Sequence, residues 1–151
     1  MFHPRVILCP TDFSENSTVA LRIASDLARQ NQATLLVLHV ASSLGAEGLG
    51  YGEAESRLQP EGHVAELRQE LHRLAPAEPG VETRYLLREG DPAAVIEQVV
   101  REQHCDLVVL GTHGRTGLDH LLMGSTAERI IRRCPCPALV VKYPRRPEGT
   151  D

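Results

Sequence analysis

Residues able to do chemistry gather in two stretches of this chain. In the first, Pro10-Thr11-Asp12-Phe13-Ser14 puts a carboxylate and two hydroxyls directly behind an apolar run. In the second, Gly111-Thr112-His113-Gly114-Arg115-Thr116-Gly117 follows another apolar run and is succeeded by Gly124-Ser125-Thr126. Glycine at 111, 114 and 124 lets the backbone approach a ligand, and Ser125 and Thr126 at a helix start offer N–H and hydroxyl donors. The chemistry expected is an anion cradle for phosphate oxygens. Arg115 either adds positive charge there or stands as a solvated side chain. The spacing departs from the P-loop, because no Lys-Ser/Thr pair follows the last glycine, and also from G-x-G-x-x-G. Taken alone, glycines between a strand and a helix are more often turn chemistry, and a carboxylate at Asp12 suits a turn or a cap as well as a ligand.

The other reactive side chains carry less. His113, inside the glycine loop, reads as a neutral imidazole bonded to backbone rather than as a general base. Asp119 and His120 lack a second ligand pair, so no metal centre is expected, and the histidines at 3, 39, 63, 72 and 104 receive no function. Cys9, Cys105, Cys134 and Cys136 form neither C-x-x-C nor paired zinc knuckles and are expected as reduced thiols. Cys9 and Cys105, in or beside apolar runs, suit small buried hydrophobes.

The elements that must position these groups follow from periodicity. Continuous apolar runs within residues 5–9, 33–40 and 107–110 suit strands buried on both faces of a parallel sheet. Residues 81–88 and 138–142 complete five strands. Helical stripes lie between them: Ala20, Ile23, Ala24, Leu27 and Ala28 behind an N-cap at Ser14; Val64, Leu67, Leu71 and Leu74; Val95, Ile96, Val99 and Val100 behind Asp91-Pro92; and Ala127, Ile130 and Ile131 after Gly124. Five strands alternating with four helices make an open parallel α/β sheet with right-handed crossovers. Ligands of such sheets sit beyond the carboxyl ends of the strands, where both reactive stretches fall. Residues 42–60, with Gly45, Gly48, Gly50 and Gly52, are expected as a mobile loop. Residues 1–143 read as a single domain and the polar, Pro-rich residues 144–151 as a disordered tail.

Composition limits the partners. The 151 residues carry 16 basic and 20 acidic side chains, a net charge of −4, which argues against a general binder of nucleic acid or anionic membrane. With no Trp, 3 Tyr and 2 Phe there is little aromatic surface for stacking on single strands. No apolar stretch approaches the ~20 residues that span a bilayer, and no signal peptide precedes the first strand, so the cytoplasm is the expected compartment.

The pattern Gly111-x2-Gly114-x9-Gly124-Ser125 resembles the ATP-binding motif of the universal stress protein family. The resemblance runs from Val6 to Lys142, with supporting matches at Ile7-Leu8-Cys9-Pro10-Thr11-Asp12-Phe13-Ser14, Gly90-Asp91-Pro92, Asp106-Leu107-Val108-Val109-Leu110-Gly111 and Pro137-Ala138-Leu139-Val140-Val141. It implies a Rossmann-like sheet, akin to the adenine nucleotide alpha-hydrolases, with strand order 3-2-1-4-5 and helices on both faces. It further implies that Asp12 accepts hydrogen bonds from ribose hydroxyls, with Pro10 and Thr11 lining the adenosine pocket beside it. Val40 would meet adenine through its backbone and Leu110 would pack the base or ribose. Gly111, Gly114, Gly124, Ser125 and Thr126 would hold the phosphates of ATP with Mg2+. The same order puts residues 138–142, from Ala138 to Lys142, at a sheet edge. That edge is uncharged between its guards Pro137 and Lys142, so a homodimer paired along it is expected.

Three functions are compatible with these residues. An ATP-binding universal stress protein acting as a nucleotide-dependent regulatory or stress-resistance module leads. A family member that has lost nucleotide binding and works through protein contacts follows, disfavoured by the intact glycines and Ser125. A nucleotidyl-transferring enzyme comes last, because Pro10-Thr11-Asp12-Phe13-Ser14 stands where such enzymes carry S-G-G-x-D-S or H-I-G-H signatures. No set of positioned base and metal ligands is visible, so fast phosphoryl transfer is not expected. Slow hydrolysis, or autophosphorylation at Ser125 or Thr126, is compatible with the pocket.

Overall fold

A computed structural model describes residues 1–41, 60–112 and 124–142. Among these, five strands and four helices alternate: β1 (Val6–Pro10), α1 (Glu15–Asn31), β2 (Thr34–Ala41), α2 (Pro60–Leu74), β3 (Glu82–Glu89), α3 (Pro92–Glu102), β4 (Leu107–Gly111), α4 (Ser125–Arg133) and β5 (Ala138–Val141). The strands are all parallel and lie in the order β3-β2-β1-β4-β5. β1 pairs with β2 on one side, Leu8 opposite Leu36, and with β4 on the other, Leu8 opposite Val108.

The unbroken apolar runs of the central strands have a direct cause in this arrangement. Successive side chains alternate between faces, so Ile7, Cys9, Leu35, Val37, Leu107 and Val109 join Ala20, Leu21, Ala24 and Ala28 of α1 and Leu71 of α2 in one core. Leu8, Leu36, Leu38, Val108 and Leu110 join Ile96, Val99 and Val100 of α3 and Ala127 and Ile130 of α4 in a second. Each fully buried aliphatic side chain contributes about 1.5–3 kcal/mol. A strand with water on one face would have no use for such a run.

The helix caps match their sequence signals. Ser14 accepts from the Ser17 N–H at 3.3 Å at the start of α1, and Asp91 accepts from the Ala94 N–H at 3.1 Å ahead of Pro92 in α3. At the other end of the sheet, one Asp106 oxygen accepts from the Arg5 and Val6 N–H groups at 2.8 and 3.0 Å and ties β1 to β4.

Several expectations shift. Ile131 is exposed rather than inward, because α4 buries only Ala127 and Ile130 and turns its remaining face to solvent. Pro60 belongs to α2, whose first position suits proline, so the segment expected as a loop ends earlier; residues 42–59 lie outside the described residues. In α2 only Leu71 of the stripe is fully buried, with Val64, Leu67 and Leu74 half-buried at the sheet's outer side. The third strand runs one residue later than its apolar pattern and ends at Gly90, whose φ of +138° only glycine adopts readily. The expected tail, residues 144–151, also lies outside the described residues.

Candidate functional site

The neighbours β1 and β4 send their chains in opposite directions across the sheet, and a cavity of about 280 Å³ opens beyond their carboxyl ends. Its walls come from four places. Pro10, Thr11 and Asp12 follow β1; Val40 ends β2; Leu110, Gly111 and Thr112 end β4; Gly124, Ser125, Thr126 and Ala127 open α4. Pro92 and Ile96 of α3 close the side facing the second core, and Ser17 and Ile130 complete it.

A hydrogen-bond network fixes the first wall. The Thr11 N–H donates to Leu38 O at 2.8 Å, so the β1–β2 ladder continues one residue past Pro10, which has no N–H to give. Thr11 is 5% exposed, and its hydroxyl hydrogen is already spent. Ser17 spends its single hydroxyl hydrogen on Ser14 O at 2.8 Å, so across the 2.9 Å pair Thr11 Oγ1 donates to Ser17 Oγ, while Oγ1 accepts from the Phe13 N–H at 3.1 Å. Thr11 therefore builds the wall and has no hydroxyl hydrogen left for a ligand. Asp12 Oδ1 accepts from the Ser14 N–H at 3.0 Å, closing an Asx turn, while its side chain also lines the cavity. The turn and the cavity wall share this carboxylate.

His39, given no function from sequence, proves to be a brace. Its Nδ1 donates to Thr11 O at 2.8 Å, and its ring rests 4.5 Å from that of Phe13, which turns the chain with φ of +65°. A carbonyl can only accept, so the bond assigns a proton to Nδ1. No spacing signal could have found His39, since the contact spans 28 residues.

The opposite wall is drawn together at its base. The Thr112 N–H donates to Val141 O at 3.1 Å, and the Gly124 N–H donates to Thr112 O at 2.7 Å, so the chain leaves and re-enters the site at one point. Gly124 supplies no capping side chain to α4, and the N–H groups of Ser125, Thr126 and Ala127 start the helix at the cavity with the positive end of its dipole. Gly111 has a reason other than ligand approach: a Cβ there would lie 3.1 Å from Asn16 O and Cβ, so this glycine lets α1 pack onto the end of β4.

An ion pair holds the two helices of this wall. Arg129 of α4 grips Asp91 with both guanidinium ends, at 2.9 and 2.7 Å. The Arg129 hydrogen bonds, then that from the Ala94 N–H, hold the Asp91 carboxyl below its ordinary value. The pair joins the middle of α4 to the start of α3 at the protein surface.

Of the residues singled out from sequence, Pro10, Thr11, Asp12, Val40, Leu110, Gly111, Gly124, Ser125 and Thr126 meet around this cavity. Gly114, Arg115, His113, Asp119 and His120 lie outside the described residues. Sequence reasoning missed Ser17, Pro92, Ile96, Thr112, Ala127 and Ile130 as lining residues. Gly90-Asp91-Pro92 carried a signal for one of them, whereas Ile96, Ala127 and Ile130 read simply as core. Among the described residues no group of three His, Cys, Asp or Glu could hold a metal ion.

The profile of the Universal stress protein family matches residues 4–142. A universal stress protein of Methanocaldococcus jannaschii is 36% identical over 143 residues, covering 93% of this chain and 83% of its own. The solved structure of a second protein of that organism, 24% identical, superposes with a TM-score of 0.80 over 96% of this chain and 100% of that one. A universal stress protein from Archaeoglobus fulgidus, solved in complex with dAMP, is 20% identical with a TM-score of 0.56, over 93% of this chain and 98% of that one.

Proposed function

This chain belongs to the universal stress protein family, and from that membership we propose that it binds an adenine nucleotide, ATP with Mg2+, in the cavity beyond β1 and β4. It would work as a nucleotide-dependent regulatory module of the cytoplasm. The observation that carries the reading is the pairing, in one cavity, of an apolar pocket and a helix start without a capping side chain. Val40, Leu110, Pro92 and Ile96 offer the apolar surface a base requires. Asp12, just past the carboxyl end of β1, stands as an acceptor for ribose hydroxyls. Ser125, Thr126 and the first N–H groups of α4 offer donors to phosphate oxygens. Gly111, Gly114 and Arg115 belong to the same reading, the last two from among residues 113–123, outside the described residues.

The cavity volume sits at the lower edge of the roughly 300–1,000 Å³ usual for small-molecule sites, which suits a nucleoside with its phosphates reaching outward. Mg2+ would arrive on the phosphates, since it keeps several waters and needs few protein ligands. The dAMP complex of the A. fulgidus relative supports the adenine class for this fold. A homodimer paired along β5 is part of the same proposal. Among the described residues no helix is long and apolar enough to cross a membrane.

The residues at the site bind and orient; none of those described is a base poised over a phosphate. The reading is tested by releasing the small molecules that co-purify with freshly isolated protein and identifying them by mass, followed by adding ATP to the stripped protein. An adenine nucleotide in the extract, or thermal stabilisation by ATP, is the expected result. An extract free of adenine compounds together with an unmoved Tm would overturn it.

A further inference from the structure

The four cysteines fall into two unlike pairs. Cys9 and Cys105 are buried within the two cores, and burial pushes both thiols up to about 12. Cys9 is 0% and Cys105 7% exposed, so neither is open to a small disulfide. Cys134 and Cys136 are half-buried on either side of the exposed Pro135, and their Sγ atoms stand 4.0 Å apart. They occupy the turn between α4 and β5, at the end of the sheet opposite the cavity. Cys134 ends α4, its N–H donating to Ile130 O at 2.8 Å, and Cys136 precedes β5 by two residues. Pro135 and Pro137 fix their own φ angles, so the turn that presents the sulfurs is stiff and keeps them together.

We propose that Cys134 and Cys136 form a reversible dithiol–disulfide couple that exchanges with small disulfides such as oxidised glutathione. The sulfurs stand 4.0 Å apart, against the ~2.05 Å of an S–S bond. One sulfur attacks the small disulfide as a thiolate and the other resolves the mixed disulfide; the exchange is written here with Cys134 first. The Cys134 sulfur displaces one glutathione thiolate, which takes up the proton Cys134 has released. The Cys136 sulfur then attacks the Cys134 sulfur of the mixed disulfide, and the second glutathione leaves with the Cys136 proton. Two electrons pass to the small disulfide, giving two free thiols and a covalent tie between the end of α4 and the entry to β5.

The test treats the full-length reduced protein with oxidised glutathione at neutral pH, alkylates the free thiols after unfolding and reads the intact and peptide masses. The expected product has lost two hydrogens, carries no glutathione, and yields Cys134 and Cys136 in one internally bridged peptide, with Cys9 and Cys105 alkylated. Dithiothreitol restores the starting mass. The variant Cys136→Ser, unable to complete the second step, accumulates one glutathione on Cys134. The proposal is overturned if native protein leaves both Cys134 and Cys136 open to alkylation, retains glutathione without closing the bridge, or joins either cysteine to Cys105 or to a second chain. The native measurement decides by itself if the variant fails to fold.

Discussion

Asp12 closes a turn and, in the proposed reading, binds ribose, and a substitution separates the two. One oxygen closes the turn onto the Ser14 N–H, and the side chain faces the cavity where a ribose would lie. Asp12→Ala should weaken ATP and adenosine binding by a similar factor, about 1.5–3 kcal/mol for hydrogen bonds to a charged group. Calorimetry with both ligands checks this: a loss confined to ATP, with adenosine binding untouched, would move Asp12 to the metal or phosphates. Asp12→Asn keeps an acceptor for the turn and should retain the native Tm while losing affinity. Thr11 makes the complementary case. Its hydroxyl hydrogen is spent on Ser17 and its oxygen accepts from the Phe13 N–H, so its contribution to the site is shape.

At the scale of elements, an ion pair at the protein surface joins α3 to α4. Asp91 caps α3 and grips Arg129, and its carboxyl is held below the ordinary value of about 3.9. A carboxylate whose folded value is lowered stabilises the fold above its unfolded value and loses that contribution as pH falls through the folded value. Asp91→Asn should therefore lower the urea midpoint at pH 7, with the gap to the native protein closing below about pH 4 and narrowing in high salt, since the pair is exposed. A gap that does not narrow as pH falls, or no gap at pH 7, would mean that the charge of Asp91 adds nothing, since asparagine caps a helix as well as aspartate does. The start of α3 was legible in the sequence because Asp91-Pro92 is local chemistry. The three central strands were legible because burial on both faces erases alternation. The Arg129 grip and the His39 brace were not, since each joins residues that only the crossovers bring together. Ile131 misled for the same reason: helical spacing counts apolar positions but does not say how much of a short helix the sheet can cover.

The whole molecule presents one conspicuous edge. β5 pairs with β4 on one side, its run Ala138–Val141 is uncharged, and Leu139 is 40% exposed. Pairing with a second copy would satisfy the outer backbone groups and cover Leu139. Sedimentation at micromolar concentration should show a dimer, with Leu139→Asp raising the monomer share, whereas a single native species of 16.6 kDa would leave the edge unpaired. The central claim, that the cavity is a nucleotide site, is tested most directly by titrating ATP with Mg2+ into native protein and into Gly124→Val by calorimetry. Gly124 has φ of −59° and ψ of 150°, extended backbone open to any residue, so the variant should fold. Native protein should take up one ATP per chain and the folded variant none; no heat of binding to native protein, or equal affinity in both, would contradict the account.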